Sequence, residues 1–347
     1  MAKKKALVLG ATGMMGQKFV RLLADHPWFQ VTAVAASDKS VGKRYETAAP
    51  TMDVGGLPEE IRGLQVSDAS PTAAKDSDIV FSALPAEVAG PVEEKFAESG
   101  SAVFSNASSH RMDKYVPLLN PEVNPEHATL VEEQKRRLKR DGFIVANPNC
   151  TTAILTLSLK PLQTPFGLDA VIVSSMQAIS GAGYPGVASI DILENVIPFI
   201  RNEEEKVERE TNKILGSSTS PASITVSASC NRVPTIHGHI EAVFAKTKTT
   251  TAPEAAARAM AGFTSTPQKL KLPTAPPHPI VVRREEDRPQ TRLDVNEGNG
   301  MTVSVGRIRS DVALNGVKYI ALGHNLVRGG AGCSILNAEL LLAEKLI

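Results

Sequence analysis

The chain has 347 residues, 42% of them hydrophobic and 22% charged, with 25 glycines. This length suggests two domains at ~100 to 200 residues each, and the composition excludes a disordered, fibrous or small disulfide-stapled protein. Lys and Arg number 38 against 37 Asp and Glu, a formal net charge of +1, so no basic field draws nucleic acid or a membrane surface; the expected partners are small molecules and further copies of the chain.

The apolar run at 6–9 predicts a strand and ends at Gly10, too early for a signal-peptide core, so export is not expected. A helix is predicted over about 13–24, a strand at 31–36, a strand at 79–84 followed by a helix over 85–98, and strands at 102–104 and 143–146. Nearly all-apolar strands alternating with helices indicate a Rossmann-like, doubly wound parallel sheet, an α/β domain. Beyond about Cys150 the segments lengthen and become β-branched, at 170–176, 224–229, 240–248, 302–308 and 317–322. They predict an α+β second domain, with hairpin-joined strands in a mixed or antiparallel sheet and helices on one face. A proline-rich stretch at 266–289 reads as an extended excursion at a subunit contact, and 329–347 as a closing helix. The expected division is 1–149 for the cofactor domain, completed by the closing helix, and 150–328 for a catalytic and dimerisation domain.

Two uncharged stretches, 142–159 and 170–190, are long enough to test as membrane spans. Asn147-Pro148-Asn149, Ser174-Ser175 and Gly181-Ala182-Gly183-Tyr184-Pro185-Gly186 interrupt them, so neither reads as a transmembrane helix. Three widely spaced cysteines, Cys150, Cys230 and Cys333, fit a reducing compartment, hence the cytoplasm, and argue against disulfides or a metal cluster.

Gly10-Ala11-Thr12-Gly13-Met14-Met15-Gly16 joins the first strand to the first helix. Glycines permit the tight turn and close backbone approach, and free N–H groups at a helix N-terminus suit a pyrophosphate; the place is that of a dinucleotide fingerprint. After the second strand comes Ser37-Asp38-Lys39-Ser40-Val41-Gly42-Lys43-Arg44. Its serines and cations favour the 2′-phosphate of NADP, while Asp38 points toward NAD.

Cys150 follows Asn147-Pro148-Asn149, a helix-boundary sequence, and precedes an apolar helical run. A thiol at a helix N-terminus is expected to be biased toward thiolate. Cys230 and Cys333 show no helix-start signal and read as buried structural thiols. A thiolate beside a nicotinamide suggests thioester chemistry coupled to hydride transfer, which needs a proton shuttle. His26 and His127 read as helix-surface residues. Arg232-Val233-Pro234-Thr235-Ile236-His237-Gly238-His239 concentrates a cation and two histidines, and the pattern alone leaves His237 and His239 both open.

Together with Gln177 to Gly186, Asp191 to Pro198, Glu203 to Leu215 and Asn325 to Gly332, these blocks resemble the aspartate-β-semialdehyde dehydrogenases of the archaeal and fungal branch over nearly the whole chain. The resemblance implies NADPH-dependent reduction of β-aspartyl phosphate to aspartate semialdehyde with release of phosphate, on the route to threonine, methionine and lysine. It implies Cys150 as nucleophile, His239 as acid/base and Gln177 as the residue orienting the acyl group. Arg232 is implied for the substrate carboxylate and Glu203 for its amino group, with the register within 203–205 open by one residue. Asn149, Arg111 and Lys206 are implied for phosphate. Gly10, Thr12, Gly13, Met14, Met15, Ser37, Lys39, Ser40, Ser180, Gly181, Ala182, Gly183 and Asn325 are implied for the cofactor. A homodimer or a tetramer of dimers is implied as well. Malonyl-CoA reductases share the framework and are the nearest rival. N-acetyl-γ-glutamyl-phosphate reductases and a catalytically silent nicotinamide sensor are the others.

Overall fold

A computed structural model describes residues 2–49 and 56–347. Six strands form a first sheet: β1 (Lys4–Leu9), β2 (Phe29–Ala35), β3 (Val66–Ser67), β4 (Ile79–Ser82), β5 (Ala102–Ser105) and β6 (Phe143–Ala146), in the order β3-β2-β1-β4-β5-β6. Every pairing is parallel. All four residues of β4, β5 and β6 are buried, which is why these strands are apolar without alternation. The strand order reverses between β1 and β4. In open α/β sheets ligands bind in the crevice at that switch point, outside the carboxyl ends of the strands.

The second sheet contains β7 (Leu168–Ala178), β8 (Thr225–Val233), β9 (His239–Thr247), β10 (Ile280–Val282), β11 (Val303–Asp311) and β12 (Gly316–Gly323), in the order β10-β11-β12-β9-β7-β8. It is mixed: β7 with β8 and β10 with β11 are parallel, and the other pairs antiparallel. Among the described residues, hairpin connection describes β11–β12 only. β8 and β9 are consecutive but not neighbours, because β7 lies between them, and a parallel β7–β8 pair requires a crossover rather than a turn. The proline-rich stretch contains β10, the edge strand of this sheet, a position that tolerates missing backbone donors nearby.

Among the described residues seven helices have nine or more residues: α1 (Met14–Leu23), α2 (Ala86–Glu98), α3 (Leu130–Leu138), α4 (Cys150–Phe166), α5 (Glu203–Leu215), α6 (Pro253–Ala261) and α7 (Gly332–Ala343). Residues 151–159 of α4 are all buried. A helix apolar all round belongs inside a core, and α4 packs on β7, β9, β11 and β12. It thereby carries the chain from the end of β6, where its first residue Cys150 sits, onto the second sheet. α7 returns to pack against α1 and β5. The closing helix begins later than expected, after a π turn over Val327–Ala331. No helix among the described residues is long and apolar enough to cross a membrane.

Three placements differ from the sequence reading. His26 is buried, with Nε2 at 2.7 Å from Glu339 Oε1. His127 is also buried and pairs with Asn124 Nδ2 at 3.0 Å. Both were expected on helix surfaces, but each packs against a distant segment that local periodicity does not contain. Cys333 does sit in the first turn of a helix, α7, where complete burial pushes its thiol up to about 12.

Candidate active site

The crevice between the two sheets holds a cavity of about 450 Å³. Met14 and Met15 enter it from the first βα turn, Asn149 and Cys150 from the start of α4, Gln177 from the end of β7, Ser180, Gly181, Ala182 and Gly183 from the following turn, Glu203 and Lys206 from α5, Arg232 from β8, Asn325 from the segment after β12, and Arg111 from the loop after β5. A groove of about 800 Å³ runs along β10 and α6, but it contains no cysteine and none of the expected site residues.

Asn149 caps α4: its Oδ1 accepts from the N–H groups of Thr151 and Thr152 at 2.9 and 3.1 Å, satisfying two otherwise unpaired donors. The cap fixes where the helix begins and therefore where Cys150 points. Sγ of Cys150 lies 3.2 Å from Nε2 of His239, so of the two histidines it is His239 that meets the sulfur. His237 instead stacks on His324, with ring centroids 5.1 Å apart, and its Nδ1 lies 3.1 Å from Ser180 Oγ. Nδ1 of His239 accepts from the N–H of Ala178 at 3.1 Å. That bond assigns the proton of the neutral ring to Nε2, facing the sulfur.

In this geometry burial works against the expected bias toward thiolate. Burial pushes the Cys150 thiol up to about 12, with the Glu203 carboxylate adding to the rise. The guanidinium groups of Arg232 and Arg111 and the N–H of Thr151 oppose it without prevailing. His239 is pushed down to about 3, by burial first and by the Arg232 charge second. Loss of water around a charge outweighs a helix terminus here, so the resting pair is a thiol beside a neutral imidazole.

Around this pair the charged groups are tied down. Arg232 Nη1 donates to the Ala178 carbonyl at 2.8 Å, so a single residue orients both Arg232 and His239. Gln177 Nε2 donates to Ser175 Oγ at 3.2 Å. Glu203 accepts from Asn149 Nδ2 at 2.8 Å and faces Lys206 Nζ at 3.9 Å. Of the acidic run, Glu203 is the member that faces Asn149, while Glu204 turns away and accepts from the N–H of Cys230 at 2.9 Å. Arg111, buried rather than on the surface, spends three of its five N–H groups on Asn147 O, Asn106 O and Glu210.

Glu210 was missed in the sequence. It takes the N–H of Asn149 at 2.7 Å and Arg111 Nη1 at 3.0 Å, and its position two turns after Glu203 on one face of α5 was a readable signal. Gly329 was missed too: a Cβ there would stand 2.6 Å from the Cys150 Cβ, and sequence offers no sign of that approach.

The cofactor turn fits a dinucleotide. Gly10 has φ +68°, and a Cβ on it would meet the Ala83 carbonyl at 2.6 Å. Helix α1 has no side-chain cap and no acidic residue in its first turn, so its N–H groups are left for phosphate. Ser180 Oγ accepts from Asn325 Nδ2 at 2.8 Å, and Asn325 Oδ1 accepts from the Gly238 N–H at 2.9 Å. Gly10, Thr12 and Gly13, and the Ser37, Lys39 and Ser40 loop beyond β2, lie outside the cavity lining. His239 lies behind Cys150, fully buried.

Residues 5–131 match the family described as "Semialdehyde dehydrogenase, NAD binding domain", and residues 159–328 match "Semialdehyde dehydrogenase, dimerisation domain". The chain is 54% identical to the aspartate-semialdehyde dehydrogenase of Archaeoglobus fulgidus, over 98% of each chain. It belongs to the aspartate-semialdehyde dehydrogenase family. The crystal structure of the Candida albicans aspartate-semialdehyde dehydrogenase with NADP superposes with a TM-score of 0.91 at 42% identity, covering 100% of both chains. A malonyl-CoA reductase (NADP) of Metallosphaera sedula is 41% identical, over 98% of this chain and 97% of that one.

Proposed function

We propose that this chain is an NADP-dependent aspartate-semialdehyde dehydrogenase, reversibly converting L-4-aspartyl phosphate to L-aspartate 4-semialdehyde and phosphate in cytoplasmic synthesis of threonine, methionine and lysine or diaminopimelate. The observation carrying this reading is the 3.2 Å contact of Cys150 with His239 behind it, in the wall of a cavity that Arg232 and Glu203 also line. That pair of opposite charges matches an amino acid carrying both a carboxylate and an ammonium group. Arg232 holds the carboxylate, a planar task suited to guanidinium, and Glu203 holds the ammonium.

Asn149, Arg111 and Lys206 hold the phosphate while the Cys150 sulfur attacks the acyl carbon. The tetrahedral adduct expels phosphate, which leaves with the former thiol proton, and a thioester remains. NADP, when bound, supplies or accepts the hydride at this stage. The Gly10–Gly16 turn holds it, with Thr12, Gly13, Met14, Met15, Gly181, Ala182 and Gly183 against it. Ser180 and Asn325 fix the loop on its other side, and Ser37, Lys39 and Ser40 face the 2′-phosphate. His239 directs its Nε2 proton at the sulfur and relays a solvent proton to it as the oxyanion of the reduced adduct collapses and the C–S bond breaks, so the proton the reduction consumes comes from water and the ring ends neutral. Gln177 orients the acyl group. The Cys150 N–H, which the Asn149 cap does not use, faces the oxyanion.

The cofactor domain is assigned to residues 1–149 with the closing helix, and the catalytic and dimerisation domain to 150–328. The assembly is a homodimer or a pair of dimers. The likeness to a malonyl-CoA reductase keeps one second reading, in which the acyl carrier is a thioester. The deciding experiment is NADPH formation from aspartate semialdehyde with and without phosphate, beside NADPH oxidation with malonyl-CoA. Strict phosphate dependence is expected; turnover with malonyl-CoA alone hands the pocket to the second reading, and inertness toward both leaves a nicotinamide sensor.

A further inference from the structure

Arg328 is the largest fully buried side chain among the described residues. Its Nη1 and Nη2 meet Oε2 and Oε1 of Glu122 at 2.7 and 2.8 Å, and its Nε donates to the Met301 carbonyl at 2.6 Å. Both side chains are completely enclosed. Neither lines the cavity, and no step of the chemistry above uses them. Replacing a buried ion pair of this kind by apolar residues often costs no stability, so stability alone is a poor account of why it is there. What a guanidinium fork supplies is geometry, two parallel bonds of set direction.

The geometry acts next door. Arg328 belongs to the π turn over Val327–Ala331. A Cβ on Gly329 would sit 2.6 Å from the Cβ of Cys150, and one on Gly330 2.5 Å from the Cε of Met15. One stretch of backbone therefore touches both the nucleophile and the cofactor turn. Glu122 is held relative to the same nucleophile: two residues earlier, Asn120 Nδ2 donates to the Ala153 carbonyl at 3.0 Å and to Thr156 Oγ1 at 3.1 Å, both on α4.

We infer that Arg328 is a positioning residue: by forking onto Glu122 it seats the Gly329-Gly330 backbone between Cys150 and Met15, and so sets the distance from the sulfur-bound acyl group to the bound nicotinamide. The inference rests on the proposed reading of Cys150 and the cofactor turn. Arg328→Lys keeps the charge and removes the fork. With aspartate semialdehyde, phosphate and NADP, its kcat is expected to fall about 10²-fold, the scale of a 1 Å misplacement. The primary isotope effect with substrate deuterated at the aldehyde carbon is expected to rise, because hydride transfer becomes the slow step. Alkylation of Cys150 by iodoacetamide should depart from the parent's rate, since the Gly329 backbone packed on Cys150 shifts. If Arg328→Lys does not fold, the Arg328→Met, Glu122→Leu pair carries the same expectation, with a thermal midpoint near the parent's. A folded variant with the parent's kcat and isotope effect overturns the inference alone. Collapse of both variants overturns it in favour of a purely structural role. A parent chain inert toward the semialdehyde overturns the functional reading and this inference with it.

Discussion

Cys150 and His239 stand 89 residues apart in the chain and 3.2 Å apart at Sγ and Nε2. Their contact is made by the start of a helix and the first residue of a strand, each fixed by backbone bonds: α4 begins at its Asn149 cap, and His239 is held by the N–H of Ala178. Because neither partner depends on a mobile loop, the pair is ready before substrate arrives, and what substrate must change is its charge state.

The Glu203 carboxylate adds to the rise of the Cys150 thiol. Glu203→Gln should therefore speed alkylation of Cys150 at pH 8 while lowering kcat/KM for the semialdehyde. A Gln side chain keeps an oxygen for Asn149 Nδ2 and removes the charge. Alkylation rates at several pH values check this; a rate equal to or below the parent's rejects the electrostatic coupling. In the parent, the rate should keep climbing from pH 7 to 10 with no plateau, as a thiol at about 12 demands.

His239 is pushed down to about 3 in the folded protein, whereas an imidazole in an unfolded chain titrates near ~6.5. Between those values the unfolded state binds a proton that the native state does not. The contribution of His239 is thus fully present above about pH 6.5 and is lost as pH falls toward 3. At pH 4.5 this residue should lower unfolding free energy by about 3 kcal/mol relative to neutral pH. His239→Asn should remove that part of the dependence, as read by urea unfolding at the two pH values.

Asn149 is a helix cap as well as a lining residue. Asn149→Ala should cost about 1 kcal/mol in stability and a larger share of turnover, because α4 would lose the bonds that aim Cys150. Asn149→Asp keeps the cap but places a carboxylate against Glu203 and should be less active still. Thermal midpoints measured beside kcat separate the two effects.

Gly329→Ala puts a Cβ within 2.6 Å of Cys150 Cβ and 2.8 Å of its Cα. Neither neighbour is the free end of a flexible side chain, so backbone must shift, at about 1 to 3 kcal/mol for overpacking. Turnover should fall steeply while NADP binding, followed by fluorescence titration, changes little.

Local patterns in the chain were enough for the doubly wound sheet, the Gly10–Gly16 turn and the position of Cys150 at a helix start, because strand burial and helix boundaries are written in neighbouring residues. The resemblance of dispersed blocks assigned roles to Gln177, Glu203 and Arg232 without a single distance. The tertiary structure decided the rest: that His239 and not His237 meets the sulfur, that β7 lies between β8 and β9, that His26 and His127 are interior, and that Glu210 and Gly329 close around the nucleophile. It also set the burial of Cys150 against the expected bias toward thiolate. A helix terminus is a local feature visible in sequence, but the loss of water around a thiol is the sum of everything packed against it, and that sum exists only once the distant segments have met.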